Sequence, residues 1–307
     1  MAALFFFNGK ADQIYSTGPE AMVARSWSVL AGRLSRYSRQ IVSSSEPPGP
    51  DAIPLKWIVT GTVVDPVALK GAATGPVAIS RPEQSPILPN PGNVEDWEQA
   101  YGDLQDGGTV VVFLGGDSAH PAVIKAIPSG SGERDLATLV KDIVSIQSEA
   151  DKQLRIAAWV AYFDRARLDE GRKAALRSLL NERADWQTVA SALERVNSSL
   201  KEPMRTYAFG FVAFGITEGY WTAQQAAAVD FLCRWFESEG SPNVLLQDIM
   251  TLKLVLRYTA EEGARAARER LRIRVVDSLR RMESRASANP ELAEQYRQIR
   301  AAYPGLL

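Results

Sequence analysis

Composition switches near residue 130, and the switch divides the chain into two kinds of polymer. Most of the prolines and glycines lie before it, whereas Ala, Leu, Arg and Glu dominate after it. β-Branched runs punctuated by Pro and Gly suit strands and turns; Ala, Leu, Arg and Glu suit helices. The predicted fold class is therefore α+β. A small β-barrel or curved sheet with Pro-rich loops is expected over 1–130. A linker follows at Ser129-Gly130-Ser131-Gly132, and an α-helical repeat or bundle over 135–307.

Strands are expected at Ala2–Asn8, Leu55–Val64, Gly75–Ser80, Thr109–Leu114 and Ala122–Ile127. Thr109–Leu114 is a continuous apolar run after Gly107-Gly108, the pattern of a central strand buried on both faces. Ala21–Leu34 places Val23, Trp27, Leu30 and Leu34 at helical spacing and predicts a short helix. Ser43–Pro54 and Pro82–Asn93 are too rich in proline to continue a ladder and are expected as loops. No β-α-β alternation and no Gly-x-Gly-x-x-Gly after a strand is visible, which argues against a doubly wound nucleotide-binding sheet.

Helices are expected at Asp135–Gln147, Asp151–Phe163, Glu170–Leu180, Asp185–Leu200, Pro203–Ile216, Thr222–Glu237, Asn243–Tyr258, Ala260–Arg285 and Pro290–Ala302. Asp185, Thr222 and Asn243 are candidate N-caps, and Pro203 suits a first turn. Apolar stripes run through Leu154, Ala157, Ala158 and Ala161, and through Val189, Ala192, Leu193 and Val196. Helix starts near 151, 185 and 222 recur at roughly 35 residues, within the range of helical repeat arrays. The run Glu170-Gly171-Arg172-Lys173-Ala174-Ala175-Leu176-Arg177-Ser178-Leu179-Leu180 resembles helices of HEAT and armadillo repeats, a compositional likeness over 151–258. An irregular bundle is the competing arrangement.

A second resemblance covers residues 55–127. Val59-Thr60-Gly61-Thr62-Val63-Val64, then Val67-Ala68-Leu69-Lys70-Gly71, then Gly107-Gly108-Thr109-Val110-Val111-Val112-Phe113-Leu114 resemble bacterial OB/netrin-like β-barrels in motif and order. That resemblance implies a small barrel of the kind found in extracytoplasmic proteins. The chain lacks the paired cysteines of such proteins.

The chemistry the chain can perform is narrowed by two scarce residues. Cys233 is the one cysteine and His120 the one histidine. No intrachain disulfide can form, and a Cys/His zinc site of three or four ligands is excluded within one chain. No Gly-x-Ser-x-Gly elbow is present to serve a Ser-His-Asp triad, and no motif implies a cofactor. Charge is balanced, 35 Lys+Arg against 36 Asp+Glu, so no global field favours nucleic acid. No run of about 18 apolar residues is present to span a membrane. The apolar start, Met1–Asn8, lacks a basic flank and is expected as a strand rather than a signal peptide. The compartment follows from that point: periplasmic or extracellular if a signal was removed, otherwise cytoplasmic.

Several constellations compete for a function. Asp117, Ser118 and His120 follow the strongest strand and read as a turn before Pro121 more readily than as an acid–base site. Glu95, Asp96, Glu98, Asp103 and Asp106 surround Trp97 and Tyr101 without calcium-loop spacing, the pattern of a solvated acidic segment. Met204–Gly215 is aromatic-rich, with Gly210 and Gly215 expected to permit close helix contact in a packed core. Cys233 sits among Phe231, Leu232, Trp235 and Phe236, as a small buried hydrophobe would.

The best partner surface is the helix around 262–285. Arg268, Arg272 and Arg281 are its candidate partner-binding cations, with Leu271 and Val275 continuing through Leu279 and Met282 as an apolar stripe. A solvated face held by Glu/Arg pairs is the alternative. The sequence favours a noncatalytic interaction or scaffold protein that binds another protein or a cell-envelope component. A carboxylate-based enzyme using Asp103 or Asp117, and an anion binder using the Arg-rich helix, are the other two classes. A protein partner ranks above nucleic acid because no aromatic interleaves with the arginines for base stacking.

Overall fold

The computed structural model describes residues 18–42, 56–72, 75–84, 101–116, 121–260, 265–286 and 288–304. It contains two compact units, Met1–Arg155 and Ile156–Leu307. The first holds a short helix α1 (Pro19–Arg25), five strands, β1 (Ser28–Val42), β2 (Lys56–Lys70), β3 (Val77–Gln84), β4 (Thr109–Gly116) and β5 (Pro121–Pro128), and a helix α2 (Leu136–Gln147). The strand order is β3-β2-β1-β4-β5, antiparallel throughout. The sheet curls so that its edge strands β3 and β5 approach each other, with no ladder between them among the described residues. It is a curved sheet that stops short of a closed barrel.

β1 organises this unit. Over Ser28–Arg33 it pairs with β4 on one side, and along Val29–Val42 with β2 on the other. Register shifts at Ala31/Arg33 and Ser35/Ser38 bend it. A Cβ on Gly32 would lie 2.5 Å from Val63 Cγ1 and 2.9 Å from the Val64 carbonyl oxygen, so the bend depends on a missing side chain. Leu30, Leu34, Val63, Ile79, Val110, Val112, Leu114 and Ala126 fill the concave core. On β4, Val111 and Phe113 alternate onto the opposite face and are buried as well, as a central strand requires. There α1 packs on β4 and α2 on β2.

The expected helix at Ala21–Leu34 is a correction. The helix ends at Arg25, and Ser28 onward is strand. Leu30 and Leu34 fit a period of 2 as well as 3.6, and pairing on both sides decided for the strand. The corner between α1 and β1 is held by Lys70 at the end of β2. Its Nζ donates to the Val23 and Ser26 carbonyls at 2.6 Å each, at the end of α1. Cations are favoured there, where carbonyls lack helical partners. Burial lowers the Lys70 pKa. The other expected strands overlap β2 to β5: Thr109–Leu114 and Ala122–Ile127 lie within β4 and β5, and β2 and β3 run further at their C-terminal ends. Gly75 and Pro76 precede β3, and Leu55 lies outside the described residues. Ala2–Asn8, Ser43–Pro54 and most of Pro82–Asn93 lie outside the described residues.

The compact units part at 155/156, beyond the 130–135 boundary marked by composition. The reason is α2, which is helical in sequence but packs on α1 and the sheet. Asp135 caps it, accepting from the Thr138 amide at 3.0 Å.

The second unit begins within α3 (Lys152–Arg165) and continues through α4 (Asp169–Asn181), α5 (Trp186–Val196), α6 (Glu202–Thr217), α7 (Gln225–Ser238), α8 (Pro242–Ala260), α9 (Arg265–Ala286) and α10 (Pro290–Ala302). Helices two apart pack together: α4 on α6, α6 on α8 and α8 on α10 in one layer, α5 on α7 and α7 on α9 in the other. Adjacent pairs α6–α7 and α8–α9 join the layers. Asp185 caps α5, accepting from the Thr188 amide at 3.0 Å, and Pro203 lies in the first turn of α6. Thr222 and Asn243 do not cap. Thr222 lies in a 3-10 turn and donates to the Gly219 carbonyl, while Asn243 is already inside α8. On α5 the expected stripe of Val189, Ala192, Leu193 and Val196 is buried. On α3 it is not: Leu154 is 59% exposed, and Ile156, Trp159, Tyr162 and Phe163 face inward. The aromatic rings remove more apolar area from water than the alanines do, and they set the helix rotation.

Candidate functional site

α9 carries the residues singled out for partner binding, and its packing assigns each a place. Leu271 and Val275 are buried with Leu279 and Met282, where α9 packs on α7 and α8. The apolar stripe is therefore core of its own unit and offers no docking area. That corrects the expectation that it forms part of a partner surface.

The arginines have intramolecular roles as well. The Arg268 guanidinium lies 3.5 Å from the centroid of the Tyr258 ring and donates to the Tyr258 carbonyl at 2.6 Å. It fastens the last turn of α8 to the start of α9 through a cation–π contact and a helix-end hydrogen bond. Arg272 pairs with Glu269 one turn before it, Nε donating to Oε2 at 2.8 Å. That hydrogen bond, opposed by a little desolvation, raises the Arg272 pKa. Arg281 reaches Glu237 of α7 at 3.2 Å and stays 62% exposed. Changing Arg268, Arg272 and Arg281 to Glu would therefore disturb α9 itself.

Arg274, one of the helix's arginines but not among the three candidate cations, is the centre of the contact between α9 and α7. Its Nε donates to Asp230 at 2.9 Å and its Nη1 to Glu237 at 2.7 Å, both on α7. Desolvation works against its charge, but its hydrogen bonds to those two carboxylates raise its pKa. Burial pushes the Glu237 carboxyl up; hydrogen bonds from Arg274 and Ser278 and the charges of Arg274 and Arg281 more than offset it, leaving the pKa below its ordinary value. No local spacing could have revealed the pair, because the partners lie 37 and 44 residues apart. Among the residues α9 turns outward are Arg270, Ile273, Arg280 and Arg281, with Ile273 49% exposed.

The remaining candidates sort by burial. Cys233 is buried, its Sγ 3.7 Å from the Arg274 carbonyl, and burial pushes its thiol up to about 11. Such a thiol is protonated at neutral pH and packs as a hydrophobe. In α6, Met204, Phe209, Phe211 and Phe214 are buried. A Cβ on Gly215 would lie 2.2 Å from the Trp221 ring, whereas one on Gly210 would meet nothing within 4 Å. Close approach is thus required at Gly215 and not at Gly210. Trp221 also donates to the Ala184 carbonyl at 3.1 Å and stacks obliquely on Trp186.

Asp103 is exposed, and Asp106 accepts from the Tyr37 amide at 2.9 Å, a structural bond that ties the β4 approach to β1. Glu95, Asp96, Trp97, Glu98, Asp117, Ser118 and His120 lie outside the described residues. Among the described residues no cluster of His, Cys, Asp and Glu could hold a metal ion. Among them, too, no helix is long and apolar enough to cross a membrane. Comparison with family models, curated proteins and solved structures finds no match to the chain.

Proposed function

We propose that this chain is a noncatalytic interaction or scaffold protein: an OB-like β module joined to HEAT/armadillo-like helical repeats, binding another protein. The observation that carries the proposal is the alternation of α4 to α10 between two layers, each helix packing on the one two places along. Repeat arrays stack in this way, and the extended surfaces they present serve as binding platforms. The barrel half of the proposal is supported by the strand order β3-β2-β1-β4-β5 with its edges drawn together, which suits a five-stranded, partly open Greek-key barrel.

The outer side of α9 is the proposed contact surface. Ile273 supplies exposed apolar area between Arg270, Arg280 and Arg281. Arg280 and Arg281 already have acidic neighbours, Asp277 and Glu237. A surface of paired charges around an apolar centre suits a shaped protein partner better than a run of phosphates, which rewards uncompensated cations.

A photo-crosslinking residue placed at position 273 of the full chain in its native cells tests this, with position 275 as the buried control. One protein species captured from 273, absent from 275, and lost when Arg270 and Arg281 are changed to Glu is the expected result. Capture of nucleic acid, or of nothing beyond the control, would count against this surface.

A further inference from the structure

Asp248 lies in the middle of α8 with 1% of its surface exposed. Neither carboxyl oxygen meets a hydrogen-bond donor among the described residues. Beside it is a hydrogen-bonded node. Arg205 of α6 forks onto Glu239, Nε to Oε2 at 2.9 Å and Nη2 to Oε1 at 3.2 Å, and its Nη1 donates to the Leu200 carbonyl. Glu239 Oε1 accepts two backbone amides more, Gly240 at 2.9 Å and Ser241 at 2.8 Å, in the turn that leads into α8. Arg285 of α9 donates to the Glu239 carbonyl at 3.0 Å.

Among the described residues, two charged groups act on Asp248. Glu239 faces it from the α7–α8 turn and Arg205 from α6. From α9, Arg285 reaches the same node through backbone. α10 meets α8 at Lys253, which Gln295 and Gln298 engage. Two carboxyl groups thus lie near one guanidinium, and of the two only Glu239 receives its hydrogen bonds, through Nε and Nη2. A carboxylate buried with no donor is strongly disfavoured, so Asp248 is held as the neutral acid. Burial first, and the Glu239 charge second, hold its pKa well above the usual carboxylate range, with Arg205 opposing.

We propose that Asp248 is a proton-operated switch on the junction of α6, α7 and α8. Protonated, it leaves Arg205 to Glu239 and keeps the turn into α8 closed. When its proton leaves to water, Asp248 competes with Glu239 for Arg205, and Glu239 loses the countercharge that lets it hold the Gly240 and Ser241 amides. Such a bistable element converts pH into a packing change. It goes beyond the partner-binding proposal and does not depend on it.

The sign of the linkage is fixed by the direction of the shift. An acid whose folded pKa lies above its unfolded one contributes stability that is fully present below the unfolded value. That stability is lost as pH rises through the folded value. In the window between the two, one proton is released on unfolding, and the folding equilibrium falls about tenfold per pH unit.

The test is a carboxyl-carbon NMR titration of the full chain. The Asp248 signal is assigned by its loss in Asp248→Asn, or in Asp248→Leu should the amide not fold. Arg205 Nε and the Gly240 and Ser241 amides are followed in the same samples, and urea midpoints are measured across the same range. Asp248 is expected to titrate well above the other aspartates. The three node signals should move with its midpoint, and the variant should lose the tenfold-per-unit fall. An ordinary Asp248 titration in the wild-type chain would overturn the switch. So would a raised titration that leaves Arg205, Gly240 and Ser241 unmoved.

Discussion

Gly215 and Gly210 sit in the same helix, five residues apart, yet their neighbours make them opposites. A methyl group on Gly215 enters the Trp221 ring, whereas one on Gly210 enters open space. Gly215→Ala should therefore destabilise by about 1–3 kcal/mol through overpacking. Gly210→Ala should stabilise by about 0.5–1 kcal/mol, the ordinary preference of a helix interior for alanine. Urea unfolding of the two variants separates the effects, and equal shifts of the same sign would refute the placement of Trp221. Lys70 offers a second test at this scale. Lys70→Met keeps much of the apolar stem but strips the Val23 and Ser26 carbonyls of a charged donor. A loss of about 1–3 kcal/mol is expected. Faster hydrogen exchange should be confined to the α1–β1 corner.

At the scale of elements, the seam between α7 and α9 is a set of unequal ion pairs. Arg274 is mostly covered and bonded to two carboxylates, whereas Arg281 is mostly in water. Arg281→Ala should cost no more than about 1 kcal/mol. Arg274→Ala should cost more, about 1.5–3 kcal/mol, because Asp230 and Glu237 lose a charged donor. The Glu237 pKa is depressed, so its stabilisation is present above the unfolded value and is lost as pH falls through the folded one. Glu237→Gln should flatten the acid limb of the stability curve, and an unchanged limb would remove Glu237 from the seam. These elements also show what the sequence reveals. β4 is legible because five apolar residues, Val110 to Leu114, follow a Gly-Gly-Thr turn, and the start of α10 because Asn289 and Pro290 mark it. β1 is not legible, since Leu30 and Leu34 suit helix and strand alike and only β2 and β4 decide between them. The α9 stripe is visible from its spacing. Its burial against α7 and α8, and the α7 partners of Arg274 and Arg281, are not, because they arise only when separate helices pack.

For the whole molecule, a layered stack and a single-core bundle respond differently to loss of their last member. α10 packs on α8 and α9, burying Leu292, Tyr296 and Ile299, and the Tyr296 hydroxyl donates to the Leu279 carbonyl at 2.9 Å. α4 packs on α6, two helices further from that end. In a stack with nearest-neighbour coupling, the stability of a helix depends on the interfaces next to it. A chain ending at residue 288 should therefore uncover α8 and α9 and lose hydrogen-exchange protection there. The amides of α4, α5 and the start of α6 should keep theirs, and the strands of the first unit should exchange as before. A bundle around one common core would instead lose protection in all helices together, since every member lines the same core. Exchange measured helix by helix on the two chains distinguishes these outcomes. Uniform loss from α4 to α9 would rule out the repeat architecture while leaving the two-unit division of the chain intact.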